Sequence, residues 1–150
     1  MIRPATIKDI DACVDLCIDF FEDMLNGGGI NVVREDVKAV ALKSIIESKI
    51  LVIDHDGVQG LVAWEIVPHP ANHSAKIFYE TIWCVKSEHK TDALLLLRTL
   101  EKEAIKSGAE IVIVANLANK YEEQMSRILL KMGYTYLESH FHKHICERIS

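Results

Sequence analysis

The sequence predicts an α+β domain with a mixed, largely antiparallel sheet of six to seven strands and helices on both faces. Three observations carry this. Its 150 residues are 49% hydrophobic and 26% charged, the balance of a globular chain with a sizeable core. Segments with helical apolar spacing alternate with β-branched runs. The strand, helix, strand order of the second half requires a parallel crossover within an otherwise antiparallel sheet.

Each element has its own signal. Ile2 to Pro4 reads as a short strand, and Thr6 followed by Asp9 resembles a capping box opening a helix. Ile10, Cys13, Val14, Cys17, Phe20, Phe21 and Met24 recur at helical spacing, until Asn26 and the Gly27-Gly28-Gly29 run stop them. A second amphipathic segment spans Arg34 to Ser48, with Val37, Val40, Ala41 and Ile45 on one stripe. Ile50 to Asp54 and Val58 to Val67 flank His55-Asp56-Gly57, a hairpin signal, and Pro68 to Ser74 reads as loop. Ala75 to Val85 is the longest strand and is expected to be central. Its alternation places Phe78, Glu80, Ile82 and Cys84 on one side and Ile77, Tyr79, Thr81, Trp83 and Val85 on the other.

After the polar turn Lys86 to Lys90, a helix from Thr91 to Lys106 carries Leu94, Leu97, Leu100 and Ala104 inward and closes at Ser107-Gly108. The unbroken Ile111-Val112-Ile113-Val114 run predicts a strand, Glu110 to Ala115, buried on both faces. Asn119 and Glu122 open a last helix with Met125, Ile128, Leu129 and Met132 facing inward, and Gly133 ends it. Tyr134 to Glu138 and Phe141 to Glu147 read as closing strands. With no repeat, low-complexity tract or linker, residues 1–150 read as one domain.

Charge and composition exclude some functions. Lysine plus arginine less aspartate plus glutamate is 17 − 22 = −5, with no basic cluster to track a phosphate backbone, so nucleic acid is not an expected partner. An acidic surface suits a cationic substrate. No apolar run reaches the ~18 residues of a membrane span. Cys13, Cys17, Cys84 and Cys146 follow no zinc or oxidoreductase spacing, and Met1 to Asp11 has no apolar signal core, which together predict a cytoplasmic chain with reduced thiols. Cys13 and Cys17 lie four apart on a helix, as two metal ligands could, but also fall on its apolar stripe; core packing is the expected role. His140, His142 and His144 alternate, as a one-sided metal or proton-handling cluster or as a solvated polar face; no metal is expected.

Glu80 is the candidate for chemistry. With Phe78 and Ile82 as its same-face neighbours on an alternating strand, its charged form is disfavoured and its pKa is expected to rise towards that of a useful base. The alternative is a structural buried charge paired with a lysine or a backbone group.

The element order resembles the GNAT superfamily of N-acetyltransferases across nearly the whole chain. The resemblance rests on Ile2-Arg3-Pro4-Ala5-Thr6 with Asp9, on Ala75 to Leu97 as central strand, acyl-CoA turn and helix, and on Lys131-Met132-Gly133-Tyr134 after the last helix. It implies acetyl-CoA as acyl-donor co-substrate and a small-molecule or peptide amine as acceptor. A homodimer would be in keeping with it. The family's turn, Arg or Gln, two residues, Gly, one residue, Gly or Ala, corresponds here to Lys90-Thr91-Asp92-Ala93-Leu94-Leu95. Unpaired amides at a helix start suit a pyrophosphate. Lys90 replaces the cation and Ala93 is small, whereas Leu95 stands in place of a small residue and Asp92 brings a negative charge. A plain amphipathic helix after a strand would read similarly.

The resemblance further implies Glu80 as general base and direct transfer to the free amine. Backbone N–H groups near Trp83, Cys84 and Val85 would hold the oxyanion, with Ile113 to Ala115 forming the other wall of a splay that admits pantetheine. The family's tyrosine acid is replaced by Leu129, leaving Ser126, Tyr121 or water as proton donor. His69 and His73 are candidate substrate contacts, and specificity is expected in the Gly27 to Arg34 and Pro68 to Ser74 segments. The alternative to an N-acyltransferase is a catalytically inactive binding or assembly protein on the same fold.

Overall fold

β-Branched runs meet in one five-stranded sheet, ordered β1 (Ile2–Pro4), β2 (Ile50–Asp54), β3 (Val58–His69), β4 (Asn72–Val85) and β5 (Ile111–Ile113). This computed structural model describes residues 1–25 and 30–145, and the chain forms two compact units, Met1–Val114 and Ala115–Ser150. Helices α1 (Ile10–Leu25), α2 (Arg34–Ile46) and α3 (Ala93–Lys106) belong to the first unit, and α4 (Glu122–Lys131) to the second. Pairing is antiparallel from β1 to β4 and parallel between β4 and β5, as the crossover requires.

The pleat sorts the core into two layers. Ile50, Val52, Leu61, Ala63 and Ile82 pack with Cys13, Leu16 and Cys17 of α1 and Ile45 of α2. Leu51, Ile53 and Val62 alternate with them and face the other way, and the buried stripe of the crossover helix is Leu96, Leu97, Leu100 and Ala104. Burial pushes the Cys13 thiol up to about 12 and Cys17 up to about 11, so both behave as small apolar side chains. Met24 and Val40, read as members of apolar stripes, are exposed. Ser44 is buried on α2, its hydroxyl donating to the Val40 carbonyl.

Several boundaries move from their expected places. Pro68 to Ser74 is mostly strand: β3 and β4 pair out to His69 and Asn72, leaving a turn at Pro70-Ala71. Two long strands already in register extend their ladder past residues that look loop-like alone. β5 is three residues long and partly exposed, Ile111 most of all, instead of a six-residue strand buried on both faces. Residues 134–145 form no strand, so Tyr134 to Glu138 and the described part of Phe141 to Glu147 do not raise the count above five. A hairpin of two polar strands is marginal in water, and Tyr136, Leu137, Phe141 and Ile145 bury too little surface to hold one. Asn26 to Gly29 and Cys146 lie outside the described residues. Among these, no helix is long and apolar enough to cross a membrane.

At the start of the sheet, Arg3 is held by two carboxylates. Its guanidinium donates to both oxygens of Asp9 at 2.8 and 2.9 Å and, through Nε, to Asp54 at 2.9 Å. Asp9 also accepts from the Thr6 amide at 2.7 Å. Chiefly through the Arg3 hydrogen bonds, the Asp9 carboxyl is held down at about 2, and Asp54 is lowered by the same partner. Arg3 and Asp9, which carried part of the resemblance, form a structural clasp between β1, β2 and the entry to α1.

Candidate functional site

β4 is paired along one edge with β3 for its whole length, but its ladder with β5 covers only Ile77 to Tyr79. From Glu80 onward the two parallel strands no longer pair. Glu80 therefore stands at the point where a strand-edge opening begins, and it is buried, 6% exposed.

A β-bulge sits beside it. Trp64 is opposite Glu80 and Ala63 is opposite Ile82, so Thr81 is the extra residue. The bulge corrects the sequence reading of this strand. Because Ala63 and Trp64 point to opposite faces, Ile82 joins the α1 and α2 layer, whereas Glu80 shares its face with Trp64 and Phe78. The Trp64 and Phe78 rings stack at 5.0 Å, and an open concavity of about 250 Å³ lies beside them, lined also by Lys49, Ile66, Glu103 and Lys106.

The end of β4 is fixed by close backbone approach. Trp83, Cys84 and Val85 pair with Val62, Leu61 and Gly60, and the Lys86 amide donates to the Gln59 carbonyl at 2.9 Å. A Cβ on Gly60 would lie 3.0 Å from Ile53 Cδ1 and Val85 Cγ2 and 3.1 Å from the Cys84 carbonyl oxygen, so any larger residue here would require these neighbours to shift. Cys84 is pushed well above the usual thiol range, first by burial and then by Cys17, Cys13 and Glu80. A thiol held protonated in this way is a poor nucleophile.

The expected helix start at Thr91 is also displaced. Ser87–Asp92 forms a 3-10 segment running directly into α3, and the Ala93 amide donates to the Lys90 carbonyl. Part of the turn's amide set is thus already bonded within the turn, because 3-10 bonding commonly tightens a helix end. Lys90 and Thr91 are exposed, Ala93 and Leu94 are half-buried, and Leu95 projects outward at 55% exposure. Asp92 does not cap α3; its carboxylate lies 3.1 Å from His55 Nε2 and 3.9 Å from His89 Nδ1. The sequence reading did not connect these two histidines with Asp92. Their approach depends on where the β2–β3 hairpin ends, and 37 residues separate His55 from Asp92.

His69 and His73 lie near the tip of the β3–β4 hairpin, on strands instead of a loop. Seven residues of extended strand place His73 roughly 23 Å from Glu80, so the structure does not bring them together. His69 Nδ1 accepts from the Ala71 amide at 3.0 Å and helps shape the turn. Ser126 belongs to the second unit, where its Oγ accepts from Asn116 Nδ2 at 2.7 Å. Tyr121 immediately precedes α4 and is exposed, as are His140, His142 and His144.

Solved structures match this architecture over nearly its full length. An aminoglycoside acetyltransferase from an uncultured soil metagenomic sample is 15% identical, covers 100% of this chain and 98% of its own, and superposes with a TM-score of 0.68. A predicted acetyltransferase from Clostridium acetobutylicum, solved with acetyl-CoA, is 15% identical over 95% of this chain and 94% of its own, with a TM-score of 0.70. The chain has the GNAT fold. A GCN5-related N-acetyltransferase from Ralstonia eutropha, 14% identical, gives 0.70 over 95% of this chain and 96% of its own. No family model and no curated protein sequence matches the chain.

Proposed function

We propose that this GNAT-fold chain is an acetyl-CoA-dependent N-acyltransferase that acetylates a primary amine by direct transfer, with Glu80 as general base. The observation that carries the reading is a buried carboxylate on β4, beside a bulge, at the residue where pairing with β5 stops. An extended thioester arm can run along a strand edge released in this way. Glu80, directly or through water, takes a proton from the ammonium; the free amine attacks the thioester carbonyl, and amides near Trp83, Cys84 and Val85 stabilise the oxyanion. Water returns a proton to the departing thiolate. The raised pKa of Cys84 favours direct transfer over a cysteine-bound intermediate.

Lys90, Thr91, Asp92, Ala93, Leu94 and Leu95 form the proposed diphosphate end. The Leu95 side chain is 55% exposed and is not packed into the core beneath the turn. Similar structures include an aminoglycoside acetyltransferase and a ribosomal-protein-alanine N-acetyltransferase, so small-molecule and peptide amines are both candidate acceptors.

The test is a pair of measurements. Acetyl-CoA at 100 times its dissociation constant should stabilise the fold by about 2.7 kcal/mol. In a thiol-release assay across an amine panel, Glu80→Gln should lower turnover by about 10²- to 10⁴-fold while keeping that stabilisation. Absence of any shift at saturating acetyl-CoA overturns the enzyme reading in favour of an inactive binding protein; unchanged turnover removes Glu80 as the base.

A further inference from the structure

We propose that His55, His89 and Asp92 form a divalent metal site of the zinc type that clasps the β2–β3 hairpin to the turn before α3. The donor atoms come from two separate stretches of chain yet all lie within 4.8 Å of one another. A tetrahedral zinc ion, with bonds of roughly 2.0 to 2.2 Å, sets its ligand atoms about 3.3 to 3.5 Å apart. The observed 3.1 Å from His55 Nε2 to Asp92 Oδ2 and 3.9 Å from His89 Nδ1 to the same oxygen bracket that spacing. Two imidazoles and one carboxylate are a borderline donor set that suits zinc and its neighbours, with the fourth position left to water.

Two further features support the site. With the 3-10 segment running on into α3, the Asp92 carboxylate makes no capping bond and is instead directed at the His55 imidazole. The hairpin that presents His55 is firmly built: Asp56 (φ 52°) and Gly57 (φ 116°) take left-handed conformations, the Gly57 amide donates to Asp54, and Gln59 donates to the His55 carbonyl. His55 and His89 stack, their ring centroids 5.1 Å apart and their planes 15° from parallel. Coordination therefore requires the rings to rotate until both lone pairs converge. His55 is 45% exposed and His89 28%, which leaves room for that motion.

The site does not depend on the proposed acyl transfer. If the turn does take a diphosphate, the ion would reverse the local charge, from the −1 of Asp92 to +1 with neutral histidines, and remove the repulsion that Asp92 would otherwise exert.

The experiment uses chelator-treated full-length protein and zinc or cobalt(II) chloride alone, without acetyl-CoA. In a background carrying His140→Gln, His142→Gln and His144→Gln, which removes the histidine tail as a competing site, one ion per chain should bind and raise Tm. Cobalt should give a tetrahedral visible spectrum without thiolate charge-transfer bands. His55→Gln and His89→Gln, each checked for folding by circular dichroism, should abolish the saturable binding and the Tm rise. Loss of binding on removing the tail histidines alone, or binding that survives both His55→Gln and His89→Gln, overturns the proposal. Because no step uses acetyl-CoA, failure here is distinct from failure of the acyltransferase reading.

Discussion

Arg3 and the turn after β4 both hold carboxylates, but with different kinds of partner. At the Arg3 corner, a planar guanidinium forks onto Asp9 and reaches Asp54, a permanent charge with fixed geometry tying three elements together. At the turn, Asp92 faces two partly exposed imidazoles, His55 Nε2 at 3.1 Å and His89 Nδ1 at 3.9 Å, from two separate stretches of chain. The corner suits a structural role because its charge states do not change under ordinary conditions. The turn is held by fewer and more exposed contacts. Both stretches support the GNAT resemblance, yet one holds the fold and the other is the proposed diphosphate end.

The largest expected effect belongs to the corner. Arg3→Met strands the Asp9 carboxylate, only 8% exposed, without its cation and should cost about 3 kcal/mol, read as a lower urea midpoint.

The pH dependence of stability should follow the same corner. Asp9 is held at about 2 in the folded chain against an ordinary 3.8, so its contribution is complete above about pH 4 and disappears as pH falls through 2. The amount at stake is about 2 kcal/mol. Urea unfolding between pH 5 and pH 2 should show this fall in the native chain, and Asp9→Asn should remove that part of it.

The smallest effect is expected at the turn. Lys90→Ala should weaken acetyl-CoA about tenfold, or about 1.4 kcal/mol, and the difference should shrink in high salt because Lys90 is solvent-exposed. Equal affinity of the two chains at low salt would remove Lys90 from the phosphate end.

Much of the fold was legible because its signals are local. The periodicity of Ile10 to Phe21, the Asp56-Gly57 hairpin and the glycine stops at Gly108 and Gly133, both at positive φ, each depend on a few neighbouring residues. What misled the reading required a partner strand. Pro68 to Ser74 looks like loop until β3 and β4 are aligned, and Tyr134 to Glu138 looks like strand but forms none. The alternation around Glu80 was read correctly on the Phe78 side and incorrectly on the Ile82 side, because a bulge is a property of two strands in register and Thr81 gives no sign of it alone.

The sequence by itself determined the α+β class, the order of elements and Glu80 as a carboxylate set among apolar neighbours. These follow from short-range sterics and the period of apolar side chains. Tertiary structure alone decided where β4 parts from β5, which face Glu80 takes, and the meeting of His55 with His89 and Asp92. Each is a distance between residues far apart in the chain, set by how strands align and where the hairpin ends, and one-dimensional spacing carries no measure of it.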